Sequence, residues 1–285
     1  VTGIVAEASA PASSANLGPG FDCLALALEL RCRVHAVRAS HWSVTHEGKQ
    51  RPDADADDAV LEAARRAAGG AALALSVDNE IPIARGLGSS SAAAAAGALA
   101  AFRALGGEPD PRQVFEIVAE MEGHPDNAAA TVYGGLVLAT GHQVHRIPWR
   151  GSLLPLVAVP DEPFPTREAR ASLPPAYSAD VVVRSIGRTA ALVAGLLGND
   201  VSVLADASGD EIHEAVRSRV RPDVAGLVTT ARNAGAAHAC WSGAGPSVLA
   251  LVEPGAGRRV RAALEARLGP AGRVLELEVA TVGAV

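Results

Sequence analysis

The stretch over residues 82–105 constrains this chain most. Pro82-Ile83-Ala84-Arg85-Gly86-Leu87-Gly88-Ser89-Ser90-Ser91-Ala92 runs from a glycine loop into an alanine-rich segment that reads as one helix over 89–105. Alanine is the best helix former, and Gly106-Gly107 stops the helix. Gly86 and Gly88 let the backbone bend and approach a ligand closely. The first free N–H groups of the helix and its positive dipole end then face an anion. The three serines that follow can cap the helix, bond a phosphate oxygen or complete a Mg²⁺ shell. An ordinary glycine turn with a serine N-cap has the same sequence, so this segment alone leaves both readings open.

Composition narrows the setting. Hydrophobic residues make up 49% but aromatic residues only 3%, so the core is built from Ala, Val and Leu, which suits helices layered on sheets. The 285 residues suffice for one large domain or two intimate ones. With 25 Lys+Arg against 31 Asp+Glu, the formal charge of −6 argues against a nucleic-acid partner. Lys49 is the single lysine, and its setting, His46-Glu47-Gly48-Lys49-Gln50-Arg51-Pro52, reads as a turn. Walker A loops, protein kinases and pyridoxal enzymes all need a lysine in another context. A phosphate is therefore met by backbone amides, hydroxyls and arginines, and Lys49 is expected to be dispensable. Cys23, Cys32 and Cys240 form neither an even framework nor a CxxC pair, and read as small buried hydrophobes. No run approaches the ~18 apolar residues of a membrane span, so the expectation is a soluble, cytoplasmic protein without a membrane partner.

Periodicity and breakers give an α+β chain. Strands are expected over 21–37, 42–45, 72–77, 136–140, 144–147, 156–160, 236–241, 248–252 and 274–280. Helices are expected over 59–68, 111–121, 128–132, 181–197, 201–208, 224–233 and 258–268, besides the alanine helix. Residues 11–20, with two prolines and two glycines, read as a loop. The acidic stretch 53–58 reads as a solvated loop capping the next helix, and 148–155 as the change of domain.

Two further loops are rich in polar groups and breakers. In Ser13-Ser14-Ala15-Asn16-Leu17-Gly18-Pro19-Gly20-Phe21-Asp22, Asn16 and Asp22 flank a bend and can converge on the hydroxyl or ammonium of a small substrate; a plain Asx-turn competes. Trp241-Ser242-Gly243-Ala244-Gly245-Pro246-Ser247 lies between two strands and marks either a close approach to the backbone or a tight hairpin.

In order and spacing, the three loops resemble the three signature motifs of the GHMP small-molecule kinases. Within that superfamily, Pro11 through Asp22 and Glu122-Gly123-His124-Pro125-Asp126-Asn127-Ala128-Ala129-Ala130, followed by Gly134-Gly135, resemble the homoserine kinases. The resemblance covers nearly the whole chain. It implies the α+β GHMP kinase fold, with residues 1–150 like the second domain of ribosomal protein S5 and residues 151–285 ferredoxin-like, and ATP and substrate meeting in the cleft between them.

The resemblance also implies roles. ATP is held by Pro82, Arg85, Gly86, Leu87, Gly88, Ser89, Ser90, Ser91 and Ala92, chiefly through backbone amides. Ser90 and Glu122 hold Mg²⁺, with Glu116 the alternative to Glu122; Mg²⁺ takes few protein ligands and keeps its waters. The substrate, L-homoserine, meets Asn16, Asp22, His124, Asp126 and Asn127, and its carboxylate meets Arg170 and Arg217, whose forks can bind it with two parallel bonds. Asp22 and Asn127 lie nearest the chemistry; the base is Asp22, a phosphate oxygen or none. Relatives often form homodimers. Other kinases of the superfamily, acting on mevalonate, shikimate or a diphosphocytidyl sugar alcohol, and an idle binding protein of the same fold are the alternatives. Gly86-Leu87-Gly88 and Gly243-Ala244-Gly245 lack the third glycine of a dinucleotide fingerprint.

Overall fold

Small residues alternate along the first strand, β1 (Ala6–Ala15), so that Ala6, Ala8, Ala10 and Ala12 are buried. The structure, a computed structural model, describes residues 5–53, 57–149 and 151–285; part of the acidic stretch expected at 53–58 lies outside them. β1 pairs along the long strand β2 (Leu24–Arg38), whose other edge is shared by β4 (Leu73–Asn79) and β5 (Leu136–Thr140). Strand β3 (Ser43–Glu47) lies parallel to β4, and β6 (Gln143–Ile147) antiparallel to β5, completing the first sheet in the order β3-β4-β2-β5-β6.

The loop expected over 11–20 is a correction, since β1 runs through Ala15. Pro11 falls where the β1–β2 register shifts, so its missing N–H removes no regular ladder bond. Its carbonyl is taken up by Thr131 Oγ1 at 3.0 Å. The true loop covers residues 16–23, and Asn16, Leu17, Gly18 and Asp22 all have positive φ.

Helix α1 (Ala59–Ala68) is capped by the Asp58 carboxylate, which accepts from the Leu61 amide, and it crosses α2 (Ser89–Ala104) closely. A Cβ on Gly97 would lie 2.6 Å from the Val60 carbonyl oxygen. With every position from Ala94 to Ala101 buried, α2 is a core helix, in contact with β1, β2, α1, α3 (Pro111–Glu122) and α4 (Asp126–Tyr133). Alanine permits this, because its short side chain lets neighbouring backbones approach.

The second sheet is antiparallel in the order β10-β7-β9-β8: β7 (Leu154–Pro160), β8 (His238–Trp241), β9 (Val248–Val252) and β10 (Gly272–Glu276). α9 (Pro222–Asn233) and α10 (Gly257–Leu268) cover it around Leu156, Val224, Trp241 and Val260. The tail then returns to the first sheet, where Ser9 and Val285 exchange backbone bonds and Leu28 bridges Val279.

Two short helices were not expected, α5 (Thr166–Ala171) and α8 (Glu214–Val220), each under two turns and too brief for a periodic signal. The expectation that no run approaches a membrane span also needs correction. α6 (Ala179–Gly198), which α7 (Val201–Asp206) follows, is 20 residues long with mean hydropathy 1.5, enough to cross a membrane by length and composition. It carries Asp180, Arg184 and Arg188, and both arginines bind Glu211.

Candidate active site

A cavity of about 370 Å³ is lined by all three loops and by the two short helices. On one wall is the N-terminus of α2. Gly88, in the left-handed region at φ 63°, precedes the helix, and Ala92 N–H makes the bond to the Gly88 carbonyl. The amides of Ser89 to Ser91 come before that bond and are available to an anion. Ala92 is not, its amide being committed.

Side chains of the predicted ATP group divide. Gly86, Gly88, Ser89 and the exposed Ser90 border the cavity. Those of Pro82, Ser91 and Ala92 are buried and do not line it. Leu87 borders it while its side chain is in the core, and its carbonyl accepts from Ser13 N–H. Ser89 Oγ accepts from Asn79 Nδ2 at 3.1 Å. Arg85 spends its guanidinium on carbonyls: Pro160 at 2.9 Å, Ile83 at 2.9 Å, and Asp161. It ties the glycine loop to the end of β7 while also bordering the cavity.

The third loop clasps the glycine loop. Ser242 Oγ donates to the Gly86 carbonyl at 2.7 Å, and Ser247 N–H donates to the Arg85 carbonyl. The close approach expected at this loop is therefore to Gly86, where a Cβ would meet the Ser242 carbonyl oxygen at 2.1 Å.

Facing α2 is an acidic wall. Asp126, at the start of α4 and 1% exposed, accepts from His124 Nδ1 and from the Asn127 amide, both at 2.8 Å. Burial opposes a charge on His124, but the hydrogen bond to Asp126 and the charges of Asp126 and Glu122 prevail and raise its pKa above the ordinary value. Asp22, His124 and Asp126 offer ligand atoms within 4.8 Å of one another. Such a cluster suits a cation, and an ammonium fits it as well as a metal. Glu122 lines the cavity with its carboxylate 3.9 Å from His124 Nε2. Glu116 instead binds Arg112 on the exposed face of α3 and is not among the lining residues.

Asn16 is a brace within the wall. Its Nδ2 donates to the Gly243 carbonyl at 3.0 Å and its Oδ1 accepts from Asp22 N–H at 3.0 Å, holding Asp22 in its left-handed conformation. Asn127 Oδ1 accepts from Ser13 Oγ at 2.8 Å, and that oxygen would lie 3.1 Å from a Cβ on Gly88. Asn127 thus stands where the acidic wall meets the glycine loop.

The basic side comes from the two short helices. Arg170 on α5 and Arg217 on α8 lie over the Phe21 ring at 5.5 and 5.9 Å. Arg170 makes a two-pronged pair with Asp22. Arg217 is buried, which lowers its pKa to about 10 and leaves it charged at neutral pH. Its Nη1 donates to the Gly243 carbonyl and to His213 Nδ1, while its buried Nε has no partner among the described residues.

Sequence reasoning passed over Ser13, Phe21, His213, Glu214, His238 and the Gly243 carbonyl. A histidine four residues before Arg217 was a legible signal of side-chain contact on one helix face; the others depend on long-range folding. His213 and His238 are buried, which lowers both to about 4, and their Nε2 atoms face the Gly18 and Leu17 carbonyls at 2.8 and 3.0 Å.

This arrangement has known relatives. The GHMP kinases N terminal domain matches residues 58–135, and the GHMP kinases C terminal domain matches residues 190–270. Homoserine kinase of Thermus thermophilus is 38% identical over 94% of each chain. Homoserine kinase of Moorella thermoacetica is 34% identical over 96% of this chain and 97% of its own. The crystal structure of homoserine kinase from Cytophaga hutchinsonii superposes with a TM-score of 0.88 at 26% identity, covering 100% of this chain and 98% of that one. The chain belongs to the GHMP kinase family and, within it, to the homoserine kinases.

Proposed function

We propose that the protein transfers the γ-phosphoryl group of ATP to the hydroxyl of L-homoserine, giving O-phospho-L-homoserine and ADP, a step of threonine biosynthesis. The observation that carries this is one cavity with three poles: free amides at α2, an acidic cluster of Asp22, His124 and Asp126, and the arginines Arg170 and Arg217. An amino acid with a side-chain hydroxyl is complementary to all three. Its ammonium goes to the acidic cluster, its carboxylate to the arginines, and its hydroxyl toward Asn127 and the phosphate site. In this reading residues 1–150 form the ATP-binding half and residues 151–285 supply the carboxylate-binding arginines.

Catalysis is chiefly positioning and charge neutralisation. Asn127 cannot take a proton usefully, and the Asp22 carboxylate is engaged by Arg170. No protein base is assigned; phosphoryl transfer through a loose transition state needs little proton abstraction before the bond to phosphorus forms. The donor set of Ser90 hydroxyl and Glu122 carboxylate fits Mg²⁺, a hard cation that takes oxygen ligands, because both line the cavity and neither is hydrogen-bonded among the described residues. When bound, Mg²⁺ neutralises the charge that develops on the phosphate oxygens.

We place the protein in the cytoplasm, where ATP and the amino acid are available. A homodimer would cover Val182, Val183 and Ile186, which α6 leaves exposed; light scattering at twice the chain mass tests it. An ADP-release assay with L-homoserine, shikimate and mevalonate tests the function. Turnover with homoserine alone supports the proposal, and preference for either of the others overturns it. Lys49→Met, at an exposed bend, is expected to keep turnover.

A further inference from the structure

Arg217 does not stand alone in the basic wall, and the group that holds it lies four residues earlier. His213 is fully buried at the N-terminal end of α8. Arg217 Nη1 donates to His213 Nδ1 at 2.8 Å, which requires that nitrogen to be unprotonated. The ring proton is then on Nε2, which donates to the Gly18 carbonyl at 2.8 Å. Phe21 stacks on the same imidazole at 5.2 Å, and Asp210 Oδ2 caps the amides of His213 and Glu214 at 2.7 and 2.9 Å. One imidazole therefore joins the helix bearing Arg217 to the loop bearing Asn16 and Asp22.

We propose that His213 is a positioning residue: as a neutral Nε2–H tautomer it orients the Arg217 guanidinium toward the substrate carboxylate and locks α8 to the 16–23 loop. This rests on the reading of Arg217 as a carboxylate-binding group. Arg217 lines the cavity and commits only Nη1 to partners among the described residues, which leaves Nη2 and the buried, unpartnered Nε for a two-pronged bond to a carboxylate. An arginine with a buried four-bond stem has many rotamers, and two acceptors on one nitrogen, His213 Nδ1 and the Gly243 carbonyl, select one of them. Burial keeps the imidazole uncharged at neutral pH, pushing its pKa down to about 4. The neutral form is required, since an imidazolium has no lone pair for Arg217.

The test compares His213→Asn with His213→Leu. Asparagine Oδ1 can take the place of Nδ1 as the acceptor for Arg217, whereas leucine fills the space without accepting. The expected result is a homoserine KM raised about tenfold in His213→Leu, the order that losing a hydrogen bond to a charged group gives. His213→Asn is expected to stay within about threefold of the parent, with the KM for ATP unchanged in both. Phosphorylation of 3-aminopropan-1-ol, which lacks the carboxylate, should respond equally weakly to either change. Equal KM defects for homoserine and for the carboxylate-free alcohol, or no difference between Asn and Leu, overturn the proposal. Crystal structures of the two variants give a reading independent of substrate: Arg217 Nη1 stays on the Gly243 carbonyl in His213→Asn and leaves it in His213→Leu. An unmoved arginine in His213→Leu refutes the positioning role even if homoserine proves not to be the substrate, and absence of homoserine turnover in the parent refutes only the function.

Discussion

The Asp22 carboxylate and the Arg170 guanidinium face each other in a two-pronged pair, Oδ1 to Nη2 at 2.7 Å and Oδ2 to Nη1 at 3.0 Å. The hydrogen bond to Asp22 raises the Arg170 pKa further, so the guanidinium is always charged. An incoming zwitterion carries an ammonium for Asp22 and a carboxylate for Arg170. It exchanges one internal ion pair for two external ones. Arg170→Gln is therefore expected to raise the homoserine KM by about tenfold, with a smaller change in kcat. Asp22→Asn should do the same and leave single-turnover phosphoryl transfer near normal. The double variant should cost less than the two single changes together, because each single change leaves an unpaired charge. A large drop in single-turnover rate for Asp22→Asn would instead make Asp22 the base.

The glycine loop predicts a steric failure. At φ 63°, Gly88 is in the region that side chains disfavour, and a Cβ would come 2.1 Å from Ser13 Oγ. Gly88→Ala should displace Ser13 and with it Asn127, lowering kcat/KM for ATP by at least ~100-fold, as misplaced reacting groups do. Gly106→Ala, also at positive φ but with nothing within 4 Å of a Cβ, should cost only stability, about 1 kcal/mol. Equal kinetic effects of the two substitutions would contradict a packing cause.

How far the sequence spoke depended on the range of the determining interaction. Helix α1 and helix α2 were legible because their caps, glycine stops and alanine content are local. β1 was misread, since Pro11 breaks a strand only when its N–H is needed, and the register shift that spares it is a property of the pairing with β2. The two arginines were found through resemblance while the short helices that carry them were not, because six or seven residues hold too little periodicity. Arg85 was assigned to phosphate from its place in the motif. Nothing local announces that it also bonds the carbonyls of Pro160 and Asp161 while bordering the cavity.

The metal assignment separates two glutamates. Glu122 lines the cavity, and Glu116 is held by Arg112 at 2.8 Å on an exposed helix face. Glu122→Gln should raise the Mg²⁺ concentration for half-maximal activity by about tenfold or more, the range for losing one charged ligand contact. Glu116→Gln should leave it unchanged, as a surface pair contributes little. A Mg²⁺ titration of both variants checks this, and a response to Glu116→Gln alone would reverse the assignment.

Glu214 makes stability depend on pH with a definite sign. Burial pushes its carboxyl up from 4.5 to about 8, while it accepts from Trp241 N–H at 2.7 Å. Between those values the folded chain holds a proton that the unfolded chain has lost, so stability falls as pH rises, with a limiting slope of about 1.4 kcal/mol per pH unit. His213 and His238 act oppositely: burial lowers both from 6.5 to about 4, the unfolded chain binds the extra protons, and stability rises from about 4 to 6.5. The histidine rise is still under way at 6.5 and is complete about one pH unit higher, beyond which the Glu214 decline prevails until the folded carboxyl ionises around 8. Urea midpoints measured at pH 6.5, 7.5 and 8.5 should fall for the parent protein. Glu214→Gln can still accept from Trp241 but cannot ionise, so its midpoints should fall less than the parent's across that interval, while His124, whose pKa is raised in the folded chain, contributes a decline to both proteins; an equal decline in both would locate the titrating group elsewhere.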